Sequence, residues 1–207
     1  MKIIIIKIGS SILLSKHNRF DEFRIAHIAD QVFQLRKIAF GVILVISGAV
    51  AYGANFMDLS KNEFHQRRSA AGIGQVYLTA VFHQIFIKKK LQIAQILLTK
   101  DNFNTTSKKM SLIKVINHYL NSGVIPVLNE NDVIDLNCFG GNDFLCMEIA
   151  KLCRAGHVLI LSNREGSKYG VGGRRAKLEV ERVLNGKNIK TDILDGEIRN
   201  VILNNTV

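Results

Sequence analysis

Lys7 and Lys177 each sit beside a glycine-rich turn: Lys7-Ile8-Gly9-Ser10-Ser11 near the start, and Gly170-Val171-Gly172-Gly173-Arg174-Arg175-Ala176-Lys177 toward the end. Glycine lets a backbone approach a bulky anion closely, and a helix opening after such a turn supplies N–H donors and a favourable dipole. Two lysines in these positions suit neutralising a polyphosphate. Between them lie further polar turns: Ser47-Gly48-Ala49, Asn129-Glu130-Asn131-Asp132, Phe139-Gly140-Gly141-Asn142-Asp143 and Ser162-Asn163-Arg164-Glu165-Gly166. Neither common phosphate fingerprint is present, since nothing matches GxxxxGK[ST] and Gly172-Gly173 lacks the GxGxxG spacing. Taken singly, each turn is equally consistent with strand-to-helix punctuation. Asn142 and Asp143 would serve as helix N-caps, and Ser47 could bond its own backbone.

Those turns need elements to hold them. Short β-branched runs, apolar on both faces, predict strands over 2–8, 41–46, 91–98, 123–128 and 157–161, as expected of a parallel sheet covered on both sides. Helical spacing predicts helices over 20–39, 66–90, 107–121 and 142–155, with a further helical stretch after Lys177. In the first of these, Phe23, Ile28, Val32 and Leu35 form the apolar face and Asp21 marks the start. The alternation of strand and helix predicts an α/β fold in which the polar turns gather beyond the carboxyl ends of the strands, where open α/β sheets bind ligands.

Composition narrows the function class. The chain has 207 residues, with 28 Lys plus Arg against 17 Asp plus Glu, a net charge of +11. The length suits one domain over 1–207 with an ample core. The basic runs Arg67-Arg68, Lys88–Lys90, Lys108-Lys109 and Arg174-Arg175 are scattered, and aromatics at 7% do not interleave with them. A solvated basic surface, with no nucleic acid partner, is the expectation. Lys7 interrupts the opening isoleucine run too early for a signal peptide, and no uncharged apolar stretch reaches ~18 residues, so no membrane association is expected. Cys138, Cys146 and Cys153 are odd in number and lack CxxC spacing, which points to reduced thiols in a cytoplasmic protein. Cys146 and Cys153, seven apart on a predicted helix, read as small core residues.

Read in order, the segments KIGSS (7–11), ISGAVAYG (46–53), AAGIGQ (70–75), LLTKDNF (97–103), GVIPVLNENDVI (123–134), FGGND (139–143) and GVGGRRAKL (170–178) resemble the amino-acid kinase family, and within it the glutamate 5-kinases. The resemblance implies a three-layer α/β/α sandwich with a mainly parallel central sheet. It implies transfer of the ATP γ-phosphoryl group, with Mg2+ carried by the nucleotide, to the γ-carboxylate of L-glutamate, the first step toward proline. Lys7 and Lys177 would serve catalysis, with Asp143 holding the two lysines in place. Ser47, Asp132 and Asn142 match the glutamate-binding positions, and Asp132 suits the α-ammonium. Lys7, Gly9, Ser162, Asn163, Val171, Gly172, Gly173 and Lys177 match the nucleotide side, with the amides of Gly9 and Gly48 as donors to developing negative charge. No residue is assigned to a metal. A carboxylate is already nucleophilic, so no general base is called for. A homo-oligomer is implied, without the PUA-like domain many members carry. The sequence departs from the family at Gly141 and Asn163, where acidic residues are usual. It also departs after Tyr169, which leads straight into Gly170 where members carry a longer nucleotide-covering segment. The alternative these departures raise is a homologue that binds a ligand or partner without catalysis.

Overall fold

In a computed structural model, residues 1–57, 59, 63–163 and 173–206 are described. Strand β1 (Lys2–Ile8) leads through a one-turn helix α1 (Ser10–Leu13) to α2 (Glu22–Lys37), then β2 (Phe40–Ile46), a short α3 (Ala49–Gly53) and the long α4 (Phe64–Ile87). Next come β3 (Ile93–Leu98), α5 (Thr106–Asn121), β4 (Ile125–Glu130), α6 (Asn142–Cys153), β5 (His157–Ser162), α7 (Gly173–Asn185), β6 (Lys190–Asp195) and α8 (Val201–Asn204). The six strands pair in parallel throughout, in the order β3-β4-β2-β1-β5-β6.

Strand alternation divides the core into two layers. Ile4, Ile6 and Ile8 face α2, α4 and α8, while Ile5 shares the opposite face with Ile43, Val45 and Ile160 against α5, α6 and α7. Each fully buried isoleucine contributes ~1.5–3 kcal/mol of transfer free energy, so a register slip, which would exchange the two faces, is heavily disfavoured. This is the α/β/α sandwich the sequence predicts. It also fixes a polar position: Lys7 shares the parity of Ile5 and emerges on the α6/α7 side.

Several boundaries differ from expectation. Strand β4 runs through Asn129 and Glu130, predicted as loop, because β3 pairs with it up to Leu98↔Glu130. Strand β6 was not predicted, since its sequence KTDILD mixes polar and apolar residues as an edge strand can. Asp21 caps α2 by accepting from the Arg24 amide at 2.9 Å, as its position suggested. Phe23 does not join the apolar face and is 91% exposed, because the buried spacing runs through Ile25, Ile28, Val32 and Leu35. Cys146 and Cys153 are free, buried residues of α6. Helix α4 is long and apolar enough by length and composition to cross a membrane, but 44% of that stretch is buried inside the protein.

Helices α3 and α4 cross almost backbone to backbone. A Cβ on Gly74 would lie 1.8 Å from the Ala49 carbonyl oxygen, and one on Gly53 would lie 1.9 Å from that of Ala70. The Ser47-Gly48 turn leads directly into this crossing, with Gly48 at the N-cap of α3. Because the obstruction is backbone, Gly74→Ala is expected to destabilise the protein by about 2 kcal/mol or more, read as a lower urea midpoint at unchanged slope.

Candidate active site

The connection after β1 runs to one side of the sheet and that after β5 to the other, so the carboxyl ends of β1 and β5 flank a topological switch point. Lys7 is one of the last two residues of β1 there, Ser162 ends β5, and α6 and α7 begin at the same edge. Asp143, in the first turn of α6, is buried between two cations. Its Oδ1 meets Lys7 Nζ at 2.6 Å and its Oδ2 meets Lys177 Nζ at 3.4 Å. Lys177 lies one turn in from Gly173, whose carbonyl accepts from its Nζ at 3.0 Å. Burial, aided by repulsion from Lys7, holds the Lys177 ammonium below its usual pKa, while Asp143 opposes the drop. The structure thus brings together Lys7, Lys177 and Asp143 from β1, α7 and α6. The net charge of the cluster is positive, and a phosphoryl group is the kind of anion it would receive.

A second region adjoins it. A cavity of about 230 Å3 opens at the carboxyl ends of β3 and β4, lined by α3 and α4 through Ala49, Ala71 and Gln75, and by Glu130, Asn131 and Asp132. Asp132 accepts from the Asn137 amide at 3.0 Å. Burial raises its pKa, opposed by that hydrogen bond and by Arg67, whose buried Nε has no hydrogen-bond partner. Asn129 Nδ2 donates to Gln75 Oε1 at 2.7 Å, tying β4 to α4. Strand alternation turns the next residue the other way. The Glu130 carboxylate accepts from the Gly141 amide at 3.1 Å, and the Glu130 amide donates to Asn142 Oδ1 at 3.2 Å. The cavity and the lysine cluster are therefore joined through β4 and the start of α6.

Other predicted positions fall as follows. Ser47 and Gly48 follow β2, and Gly48 takes φ +117°, with Ala49 after it on the cavity wall. Gly9 is corrected as an amide donor: its N–H is engaged by Leu161 O at 3.0 Å, because the β1–β5 ladder continues one residue past the strand. Ser162 Oγ donates to the carbonyl of Asn163 at 3.2 Å. Asn142 and Asp143 do not cap α6. The cap position belongs to Gly141, at φ +114° and ψ 158°, and the two side chains are engaged elsewhere, Asn142 Oδ1 by the Glu130 amide and Asp143 by the two lysines. Val171 and Gly172 lie outside the described residues. Gln75, Gln95, Asn129 and Glu130 had no assigned role in the sequence. Their signal was polarity at in-register strand and helix positions, as in Gln95 within Ile93–Leu98.

Asp143 holds two buried ammonium groups, so removing it leaves both without their counter-charge. Asp143→Ala is expected to cost about 3 kcal/mol or more, and Lys177→Ala distinctly less, because Lys177 is the more exposed partner at the longer distance. Chemical denaturation of the variants checks this order.

Residues 2–166 match the amino acid kinase family. Glutamate 5-kinase 2 of Bacillus subtilis (strain 168) is 32% identical over 197 residues, covering 93% of this chain and 53% of that protein. Glutamate 5-kinase of Bacteroides thetaiotaomicron is 31% identical over 194 residues, covering 92% and 54%. The chain spans about half the length of the curated relatives it matches. Among solved structures, UMP kinase from Ureaplasma parvum superposes with a TM-score of 0.66 at 13% identity, covering 99% of this chain and 94% of that one. An isopentenyl phosphate kinase superposes with a TM-score of 0.65 at 13% identity, covering 95% and 92%. These structures share the fold. With the motifs in register from the first strand onward and the family match over residues 2–166, the chain belongs to the amino acid kinase family.

Proposed function

We propose that this chain transfers the γ-phosphoryl group of ATP to the γ-carboxylate of L-glutamate, forming glutamyl 5-phosphate, the first step toward proline. The observation that carries the proposal is the buried Lys7–Asp143–Lys177 cluster beside a cavity walled by Glu130 and Asp132. The relatives named glutamate 5-kinase support the choice of acceptor.

Each residue then has a physical task. Phosphoryl transfer proceeds by alignment and neutralisation of charge, with little covalent work for the protein. Lys7 and Lys177 face the phosphates, and Asp143 keeps the two ammonium groups apart in their working positions. Asp132 receives the α-ammonium of the amino acid, while Ser47 and Asn142 orient its remaining polar groups. Ser162, Asn163 and Gly173 border the nucleotide. The acceptor carboxylate attacks directly, so no side chain need remove a proton. Mg2+, bound with the nucleotide, would supply screening of the phosphate charge beside Lys7 and Lys177. Among the described residues, no group of three or more His, Cys, Asp or Glu could hold a metal ion. A homo-oligomer belongs to the same proposal, with exposed Phe56, Phe64 and Tyr77 near the α3–α4 crossing as apolar surface for it.

The test is ADP release coupled to L-glutamate in the presence of MgATP, with hydroxylamine to trap the acyl phosphate. Glutamate-dependent turnover is expected, falling by at least ~100-fold in Lys177→Ala and Asp143→Ala. N-acetyl-L-glutamate, which lacks the ammonium that Asp132 would hold, is expected to be a far poorer acceptor. Tight L-glutamate binding without any ADP release would favour a ligand-binding homologue instead.

A further inference from the structure

Glu130 stands where the two halves of the site meet. It lines the cavity together with Asp132, and its carboxylate holds the turn from which α6 begins. Beyond the bond from the Gly141 amide, the Phe139 backbone donates to it as well. Its own amide is bound by Asn142 Oδ1 at 3.2 Å and Asn129 Oδ1 at 2.9 Å. Two residues past Gly141 lies Asp143, gripping both lysines. Gly140 and Gly141 adopt φ +87° and +114°. A turn with such backbones has little intrinsic stiffness, so its geometry depends on what accepts its N–H groups.

We propose, building on the reading of the cavity as the amino-acid site, that Glu130 is a positioning residue that links occupation of the cavity to the alignment of Asp143 and its lysines, by releasing a proton when a substrate ammonium enters. Burial is the main reason Glu130 holds its proton more tightly than a free carboxyl, and Asp132 and Asp135 on the following segment add to it, raising its pKa to about 7 against the Gly141 and Phe139 hydrogen bonds. Cys138 in the same segment has its own pKa raised, mainly by burial and in part by Glu130. From α4 and β3 the cavity receives neutral Gln75 and Gln95, and Arg67 of α4 acts on Asp132. From α6, Asp143 is already matched by Lys7 and Lys177. An ammonium group in the cavity supplies the missing positive charge and favours ionised Glu130. The proton passes to solvent, and no other bond changes. The carboxylate that remains is the stronger acceptor for the Gly141 and Phe139 N–H groups, as charge-assisted hydrogen bonds are about twice as strong as neutral ones. The turn tightens and Asp143 is set.

With a folded pKa above the unfolded value near 4.5, the contribution of neutral Glu130 is fully present below about pH 4.5 and is lost as the pH rises through about 7.

The experiment is an NMR titration of protein carrying 13C in the glutamate side-chain carboxyls, with Glu130→Gln used to assign the resonance. In the free protein the Glu130 carboxyl is expected to titrate near pH 7, with the Gly141 amide following the same curve in wild type and staying flat in Glu130→Gln. Saturating L-glutamate is expected to lower the titration point by at least one pH unit. Calorimetry at pH 7 in two buffers of different ionisation heat is expected to register proton release on L-glutamate binding in wild type and none in Glu130→Gln. The kcat/KM for L-glutamate is expected to fall below pH 7 in wild type only. Titration near 4.5, a Gly141 amide indifferent to pH, or equal proton release in the variant overturns the inference. If L-glutamate does not bind, the proposed acceptor is wrong, and methylammonium, the bare cation, decides the link. A lowered Glu130 titration point supports it, and an unmoved one overturns it.

Discussion

Everything in this site depends on burying two ammonium groups around one carboxylate. Asp143 accepts Lys7 and Lys177 in a region that water scarcely reaches. Away from water such charges are tolerated only when matched at close range. Three elements distant in sequence must therefore arrive in register together: the end of β1, the start of α6 and the first described turn of α7. The arrangement costs desolvation and gives back little net stability. What it provides is a positively charged point at the mouth of the sheet, held still by its counter-ion.

The remaining architecture serves that point and the cavity beside it. Strand β4 sends Asn129 toward α4 and Glu130 toward α6, so one strand end braces both walls. The α3–α4 crossing, close enough that only glycine fits at positions 53 and 74, follows the Ser47-Gly48 turn and brings Ala49 to the cavity wall. Two carboxyl groups, Glu130 and Asp132, line the cavity, while the neighbouring cluster holds two lysines around one carboxylate. The large net positive charge of the chain is separate from this. Exposed pairs such as Lys89–Asp30 and Lys108–Asp101 belong to a solvated surface, where ion pairs contribute little.

Much of this was legible in the residues alone, and the exceptions have physical causes. Alternating apolar strands and amphipathic helices announced the α/β sandwich, and Lys7, Asp143 and Lys177 stood out by type beside their turns. The edge strand β6 escaped because a strand with one paired side needs no continuous apolar run. Phe23 was misplaced because helical spacing tolerates a neighbouring phase until packing selects one. Gly9 was expected to offer its amide, and a strand ladder that continues one residue further engages it with Leu161 instead.

By itself, then, the amino-acid sequence determined the layers, the face on which Lys7 emerges and the family to which the chain belongs. These are consequences of local periodicity and of residue types at fixed spacing. Only the tertiary structure decided that Lys7 and Lys177, 170 positions apart, share one carboxylate, and that Glu130 joins the cavity to the turn before Asp143. Charge pairing and burial depend on distances through space, and those distances exist only once β1, β4, α6 and α7 have packed.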